Sequence, residues 1–278
     1  MDVTNAAADL GRSGWCVLRE ALTPDQRRTL VAEVERLGRR AEAMLAGEPI
    51  EAARDATAEL IVVPEASAPT QVCRYENIAG TSEVLAALFG GAIRDLVSSL
   101  CGEAMTLFKD KLNEKNPGGG AFPPHQDFTA YRHFGPRYNA TAMIPIDDMT
   151  EENGCVQFAV DYLAAPAASG PQVIDTVEGR PLFAAHGPGR QNGDIVETAS
   201  ETFVWQPVTA KLGDIVVFDS FVPHFSLKND SRERRRALFV TFSRAREGEW
   251  YRVYYDKKRS DGANPMFHVS TPTISAGS

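Results

Sequence analysis

The chain has 278 residues, 43% of them hydrophobic and 24% charged, with a net charge of -8 and a pI near 5.2. That composition fits a globular protein built as one domain, 1–278, and the acidic balance argues against nucleic acid or an anionic membrane as the main partner. Four scattered cysteines without a CxxC pair, no basic-apolar leader and no apolar run near the roughly 20 residues of a bilayer span point to a cytoplasmic protein without a disulfide framework.

"GWCVL" is a short strand candidate. After it Thr23 is placed to cap a helix with Pro24 at its first position, and Leu30, Val31, Val34 and Leu37 recur at the spacing of one buried face. Residues 81–89 and 92–100 read as further helix, closed by Cys101-Gly102, which makes a helical prefix of about 1–103. From about 104 to 250 the character changes to short β-like runs: "AMTLFKDKLN", "ATAMIPI", "CVQFAV", "FVWQPV", "DIVVFD" and "RALFVTFSR". Turn-rich pieces such as "NPGGG", "ENG" and "HGPGRQNGD" separate them. The pattern is mainly β with supporting helices, a barrel or sandwich. Residues of about 163–203 carry weaker strand signals and are expected to form an insertion over the mouth of the barrel. The tail "WYRVYYDKKRSDGANPMFHVSTPT" is aromatic and basic, and is expected to fold back toward the site.

Five histidines occur: His125, His133, His186, His224 and His268. In "PPHQDFTAY", His125 and Asp127 lie two positions apart and can face one side of an extended segment. A lone HxD is more often a loop hydrogen-bonding pair than a ligand set. A third ligand changes the balance, and His224 sits between two apolar strands, "DIVVFD" and "RALFVTFSR". Two imidazoles and a carboxylate on one face of a metal are the set suited to Fe(II) and oxygen chemistry. Arg235 and Arg236 abut the next strand; alternation sends them to opposite faces, so one points inward, where a buried guanidinium needs an anion.

Together these segments resemble the phytanoyl-CoA dioxygenase family of Fe(II)- and 2-oxoglutarate-dependent oxygenases. "GWCVLREALTPDQRRTLVAEVERL" is similar to the family's opening strand and helix. "EKNPGGGAFPPHQD" resembles the stretch ending in its HxD motif, "DMTEENGCVQFAV" its asparagine-glycine-cysteine turn, and "GDIVVFDSFVPHFSLKN…RRRALFVTF" its distal-histidine segment. The resemblance implies a double-stranded β-helix (jelly-roll, cupin-like) core. It implies iron held by His125, Asp127 and His224, with Arg235 on the distal carboxylate of 2-oxoglutarate. Ser226 and Lys115 fall where further co-substrate contacts are made. It also implies O2-dependent hydroxylation of an unactivated C–H bond. The intact Asp127 favours hydroxylation over halogenation, which in this family goes with a small residue at that position.

For substrate contacts the candidates are Phe128, Tyr131, Arg137, Tyr138, Asn139 and Trp205, with His133 and Phe203 beside them. Arginine and asparagine suit an anionic head, and aromatic rings suit an ammonium. The chain looks closer to hydroxylases of small polar metabolites, such as aminoalkylphosphonates or their N-methylated, quaternary ammonium forms, than to the acyl-CoA branch. A natural-product or acyl-chain hydroxylase of the same family, a non-catalytic jelly-roll binding protein and a zinc hydrolase are the competing expectations.

Overall fold

The computed structural model describes residues 3–48, 59–66, 68–160, 162–163, 172–187, 192–264 and 267. His268, the tail beyond 267 and the parts 164–171 and 188–191 of the expected insertion lie outside the described residues.

Thirteen strands are described: β1 (Trp15–Leu18), β2 (Ile61–Glu65), β3 (Ala68–Glu76), β4 (Met105–Lys115), β5 (Phe122–His125), β6 (Asn139–Pro145), β7 (Val156–Ala159), β8 (Val173–Val177), β9 (Arg180–Phe183), β10 (Trp205–Pro207), β11 (Ile215–Asp219), β12 (His224–Ser226) and β13 (Arg235–Arg244). A seven-stranded sheet runs β1-β11-β6-β13-β4-β3-β2, and a four-stranded sheet runs β10-β7-β12-β5. They pack face to face through Phe158 of β7 and Phe218 of β11, ring centroids 5.1 Å apart. This is a jelly-roll arrangement.

The prefix is less helical than expected. β1 pairs with β11, and β2 and β3 extend the large sheet beyond β4, so three of its seven strands come from the first hundred residues. "IVVPE" and "APTQVCRYE" carry one proline each, which is tolerated at the edge of a sheet but obscures the strand pattern.

The helix Pro24–Ala46 begins as its sequence dictates. The Thr23 hydroxyl accepts from Gln26 N, the Gln26 side chain accepts from Thr23 N, and Gly47 closes the far end at φ 69°. Its buried face is Leu30, Val34, Leu37 and Ala41, with Val31 half-buried at the rim. Each fully buried Leu or Val there contributes about 1.5–3 kcal/mol. The face lies over the outer side of the large sheet, where Tyr75 Oη donates to Val34 O.

The later helices, Glu83–Leu88 and Arg94–Cys101, join through a wide turn at Phe89–Ile93. Glu83–Cys101 has the length and mean hydropathy of a membrane span. Its Leu85, Phe89, Ile93, Val97 and Leu100 are nevertheless buried in the core, which accounts for the apolar composition without a bilayer.

The insertion contains more regular structure than its sequence suggested. β8 and β9 form a hairpin, Asp194 bridges to His125, and Ile195 N donates to Pro124 O at 2.7 Å. The segment therefore runs alongside β5. The tail does fold back: the helix Tyr251–Ser260 packs on β4, with Lys258 of that helix paired to Glu76 at 2.7 Å.

Candidate metal and co-substrate site

β12 and β5 are antiparallel neighbours, and their register sets His224 directly opposite His125. Opposed residues share a face with their Cβ atoms about 5 Å apart, and here the ring centroids lie 4.2 Å apart. Asp127 joins them differently from the expected alternation. β5 ends at His125, and Asp127 occupies the turn that starts the short helix Phe128–Tyr131, at φ -57° and ψ -31°. Its carboxylate lies 3.9 Å from His125 Nε2. One ligand atom from each of His125, Asp127 and His224 falls within 4.8 Å of the others.

The backbone orients both rings. His125 Nδ1 lies 2.8 Å from Pro123 O, and His224 Nδ1 lies 3.0 Å from Val222 O. A protonated Nδ1 donates to each carbonyl and leaves the Nε2 lone pair for a cation. The turn before His224 is held in its own right. Asp219 accepts from Phe221 N and Val222 N at 2.9 Å and pairs with Arg180 of β9 at 2.8 Å. Gln126, between the two ligands of the HxD, points the other way. Its amide donates to Pro181 O and Phe221 O and accepts from Phe183 N, tying the hairpin to the ligand-bearing turns.

Burial, then repulsion from His224, pushes His125 down to about 3, and burial likewise lowers His224. Burial alone would raise Asp127, but His224, Lys111 and His125 outweigh it and hold the carboxyl at about 2. Two neutral imidazoles and one carboxylate are the donor set a divalent metal requires. These shifts also predict a pH dependence for the metal-free protein. The unfolded histidines take up protons near pH 6.5 while the folded ones stay neutral, so the unfolded state holds more protons and stability falls as pH drops through 6.5. Lys111 and Lys115, lowered mainly by burial to about 7 and about 6, act in the same direction. Thermal unfolding of chelator-treated protein should therefore give a melting temperature that declines from pH 8 to pH 5.5. The slope should be on the order of 1 kcal/mol per pH unit for each histidine. A flat or rising profile would mean that the rings are already charged in the fold.

One cavity joins the three ligands to Arg235 and Ser226. Arg235, at the start of β13, is 3% exposed; its Nη2 donates to Gly154 O at 2.8 Å, and its Nε is buried without a hydrogen-bond partner. Gly154 is required in that turn. It sits at φ +72°, and a Cβ there would come within 2.2 Å of Leu227 O. Arg236 faces outward, as alternation requires, and binds Asp147 and Glu35. Of the two arginines, only Arg235 is available to an anion in the cavity. Lys115 Nζ donates to Ser226 Oγ at 2.9 Å and to Leu227 O, so it reaches the cavity through Ser226 rather than lining it. The free space is only about 40 Å³, room for no more than a few waters.

None of the six residues expected to touch substrate lines this cavity. Phe128 is stacked on Phe221 in the core, and Tyr138 lies between Phe221 and the Arg244 guanidinium. Arg137 is exposed and paired with Glu178 at 3.0 Å. Asn139 is fully buried at the first position of β6. Trp205 is one layer removed, packed edge-on against Phe225 and Phe203. Tyr131 is buried, its ring beneath the Lys109 ammonium at 5.2 Å. His133 is exposed. Sequence reasoning passed over Lys111, Asn113 and Phe239, all three of which line the cavity. Alternation along "KDKLNEK" carried that information, because Lys109, Lys111 and Asn113 share the face of Lys115.

The family model for phytanoyl-CoA dioxygenase matches residues 10–161. The match includes His125 and Asp127 and stops short of His224 and Arg235, which the geometry supplies. Among curated proteins, a 2-aminoethylphosphonate dioxygenase from an uncultured bacterium is 36% identical over 68% of this chain and 65% of its own length. A methylphosphonate hydroxylase from Gimesia maris is 34% identical over 61% of this chain and 58% of its own. The chain thus spans less than two thirds of the length of these two relatives. Among solved structures, EctD from S. alaskensis with 2-oxoglutarate and 5-hydroxyectoine superimposes at a TM-score of 0.63, covering 88% of this chain and 77% of that one. At 21% identity that likeness speaks for the fold alone.

Proposed function

The chain belongs to the phytanoyl-CoA dioxygenase family, and from that premise we propose that it is an Fe(II)- and 2-oxoglutarate-dependent hydroxylase of a small alkylphosphonate. The observation that carries the reading is the shared cavity. Two backbone-oriented imidazoles and a carboxylate converge at one side of it, and a buried arginine with an unsatisfied Nε stands at another. His125, Asp127 and His224 would hold iron, and Arg235 with Ser226 would hold the distal carboxylate of 2-oxoglutarate. When bound, iron and 2-oxoglutarate supply oxygen activation: one O2 is divided between 2-oxoglutarate, which becomes succinate and CO2, and a substrate C–H bond, which becomes an alcohol.

The protein's part is placement. The Pro123 and Val222 carbonyls fix both rings, so the ligands need no rearrangement to meet the metal. The two apolar walls Phe225 and Phe239 exclude water from the space between ligands and arginine. Arg235 offers donors in a rigid fork that fits a carboxylate. A zinc hydrolase would give that arginine no task, and a binding protein would not need two neutral histidines facing a carboxylate.

The phosphonate assignment is supported by the two curated relatives and by the cationic character of the cavity wall. A panel tests it: methylphosphonate, 2-aminoethylphosphonate and its N-trimethyl form, a quaternary amine without phosphonate, and a fatty-acyl compound. Each is incubated with iron(II), 2-oxoglutarate and air. A phosphonate is expected to raise succinate release about tenfold or more over the substrate-free rate, the usual scale of one tight-binding contribution to turnover. Stimulation by the acyl compound alone would replace the substrate class.

A further inference from the structure

The inner face of the large sheet carries two cationic poles. One is Arg235 with Lys115, cross-strand partners at one end of β13 and β4. The other lies farther along the same face. Lys111 is opposite Phe239 and Lys109 is opposite Thr241. Four residues of extended chain separate Lys111 from Lys115, about 13 Å at 3.3 Å per residue. The distal carboxylate of one 2-oxoglutarate cannot occupy both poles while its other end reaches the metal ligands that line the same cavity.

The second pole holds more positive charge than its surroundings balance. Arg74 and Glu76 of β3 share this face, opposite Asn113 and Lys111. Glu76 is already engaged by Lys258 at 2.7 Å and by Arg74 at 2.9 Å. Lys109 is 7% exposed, donates to Tyr254 Oη at 3.1 Å, and lies over the rings of Tyr131 and Tyr254. Lys111 has no hydrogen-bond or ion-pair partner among the described residues. Its ammonium lies over the Phe239 ring at 5.3 Å, and the side chain lines the same cavity as His125, Asp127 and His224. Glu76 is thus shared by Lys258 and Arg74, which leaves Lys109 and Lys111 without an ion pair of their own among the described residues. Surplus charge in a buried place is costly unless an anion arrives to meet it.

We propose that Lys111, with Lys109 and Arg74 behind it, receives the phosphonate head group of the substrate, an inference that rests on the oxygenase reading above. The head group binds at the Lys111 pole and 2-oxoglutarate at the Arg235 pole. The carbon next to phosphorus then lies toward the metal ligands that line the same cavity. A carboxylate of the same chain length brings less charge and one fewer acceptor oxygen, and binds more weakly.

The test is anaerobic titration calorimetry with methylphosphonate, and with acetate as the carboxylate control, on protein loaded with iron(II), with and without 2-oxoglutarate. Lys111→Met is expected to weaken methylphosphonate binding by about tenfold or more, the usual worth of one charge-assisted hydrogen bond. The affinity for 2-oxoglutarate should stay within about twofold, below what the loss of one such bond costs. Lys111→Arg should restore most of the loss, and Lys109→Met should weaken the same ligand without touching 2-oxoglutarate. The proposal is overturned if Lys111→Met binds methylphosphonate as wild type does. It is equally overturned if that variant loses 2-oxoglutarate instead, or if acetate binds as well as methylphosphonate. Failure of the oxygenase reading shows itself separately, as wild-type protein that takes up no 2-oxoglutarate. The arm without 2-oxoglutarate still decides the role of the lysine in that event.

Discussion

Replacing His125, Asp127 or His224 by alanine is expected to abolish iron-dependent succinate formation, a loss of at least about 10³-fold. A bound metal contributes several kcal/mol to such chemistry, and each 1.4 kcal/mol is a factor of ten. The three variants should also fail to bind iron(II) stoichiometrically, which separates loss of the metal from loss of a chemical step. The fold should persist. The core around the site is built from Phe158, Phe218 and Phe221, which the substitutions leave in place. Removing a buried histidine opens space but leaves no buried charge unpaired, because both rings are neutral. Asp127→Ala differs: it takes away the carboxylate nearest Lys111, so that lysine should become still harder to protonate. Activity undiminished in any of the three, measured beside iron content, would remove that residue from the ligand set.

Arg235→Ala should raise the concentration of 2-oxoglutarate needed for half-saturation by on the order of 100-fold. The guanidinium is buried, and truncating one partner of a buried, hydrogen-bonded charge pair costs about 2–5 kcal/mol. Lysine at 235 keeps the charge and loses the planar fork, so Arg235→Lys should fall between wild type and alanine. Arg236→Ala is the matched control. Arg236 joins Glu35 of the helix Pro24–Ala46 to Asp147 after β6, so its loss should lower the melting temperature and leave 2-oxoglutarate binding unchanged. The opposite result, with 2-oxoglutarate affinity following position 236, would mean that the strand is turned over relative to the sheet described above.

The two arginines illustrate what could be read in advance. Alternation along a strand settles that Arg235 and Arg236 face opposite ways. It does not say which way is inward, because that depends on the register with β4 and β6. The candidate metal set was legible because the HxD begins at the end of the short strand Phe122–His125 and His224 follows the apolar strand Ile215–Asp219 after a four-residue turn, so the chemistry appears beside the secondary structure. The lining of the cavity was not. Phe128, Tyr138 and Trp205 drew notice as aromatics near the motif, yet aromatic rings near a barrel mouth are most often packed on one another, and here they are. Lys111 and Asn113 lay unnoticed in "KDKLNEK", where a run of charges looks like a solvated edge. Only the pairing of β4 between β13 and β3 turns that run inward. The strands β2 and β3 were missed for a related reason. Prolines mask their alternation, and they are strands because β4 offers β3 a partner and β3 offers one to β2.

The central claim is that this cavity couples oxygen to 2-oxoglutarate through iron held by His125, Asp127 and His224. It is tested most directly by measuring O2 consumed and succinate formed in one vessel, with iron(II) or zinc(II) as the only metal and methylphosphonate as substrate. Equal amounts of O2 consumed and succinate formed with iron, and neither with zinc or without 2-oxoglutarate, is the result expected. Turnover of substrate with zinc in the absence of oxygen would contradict it.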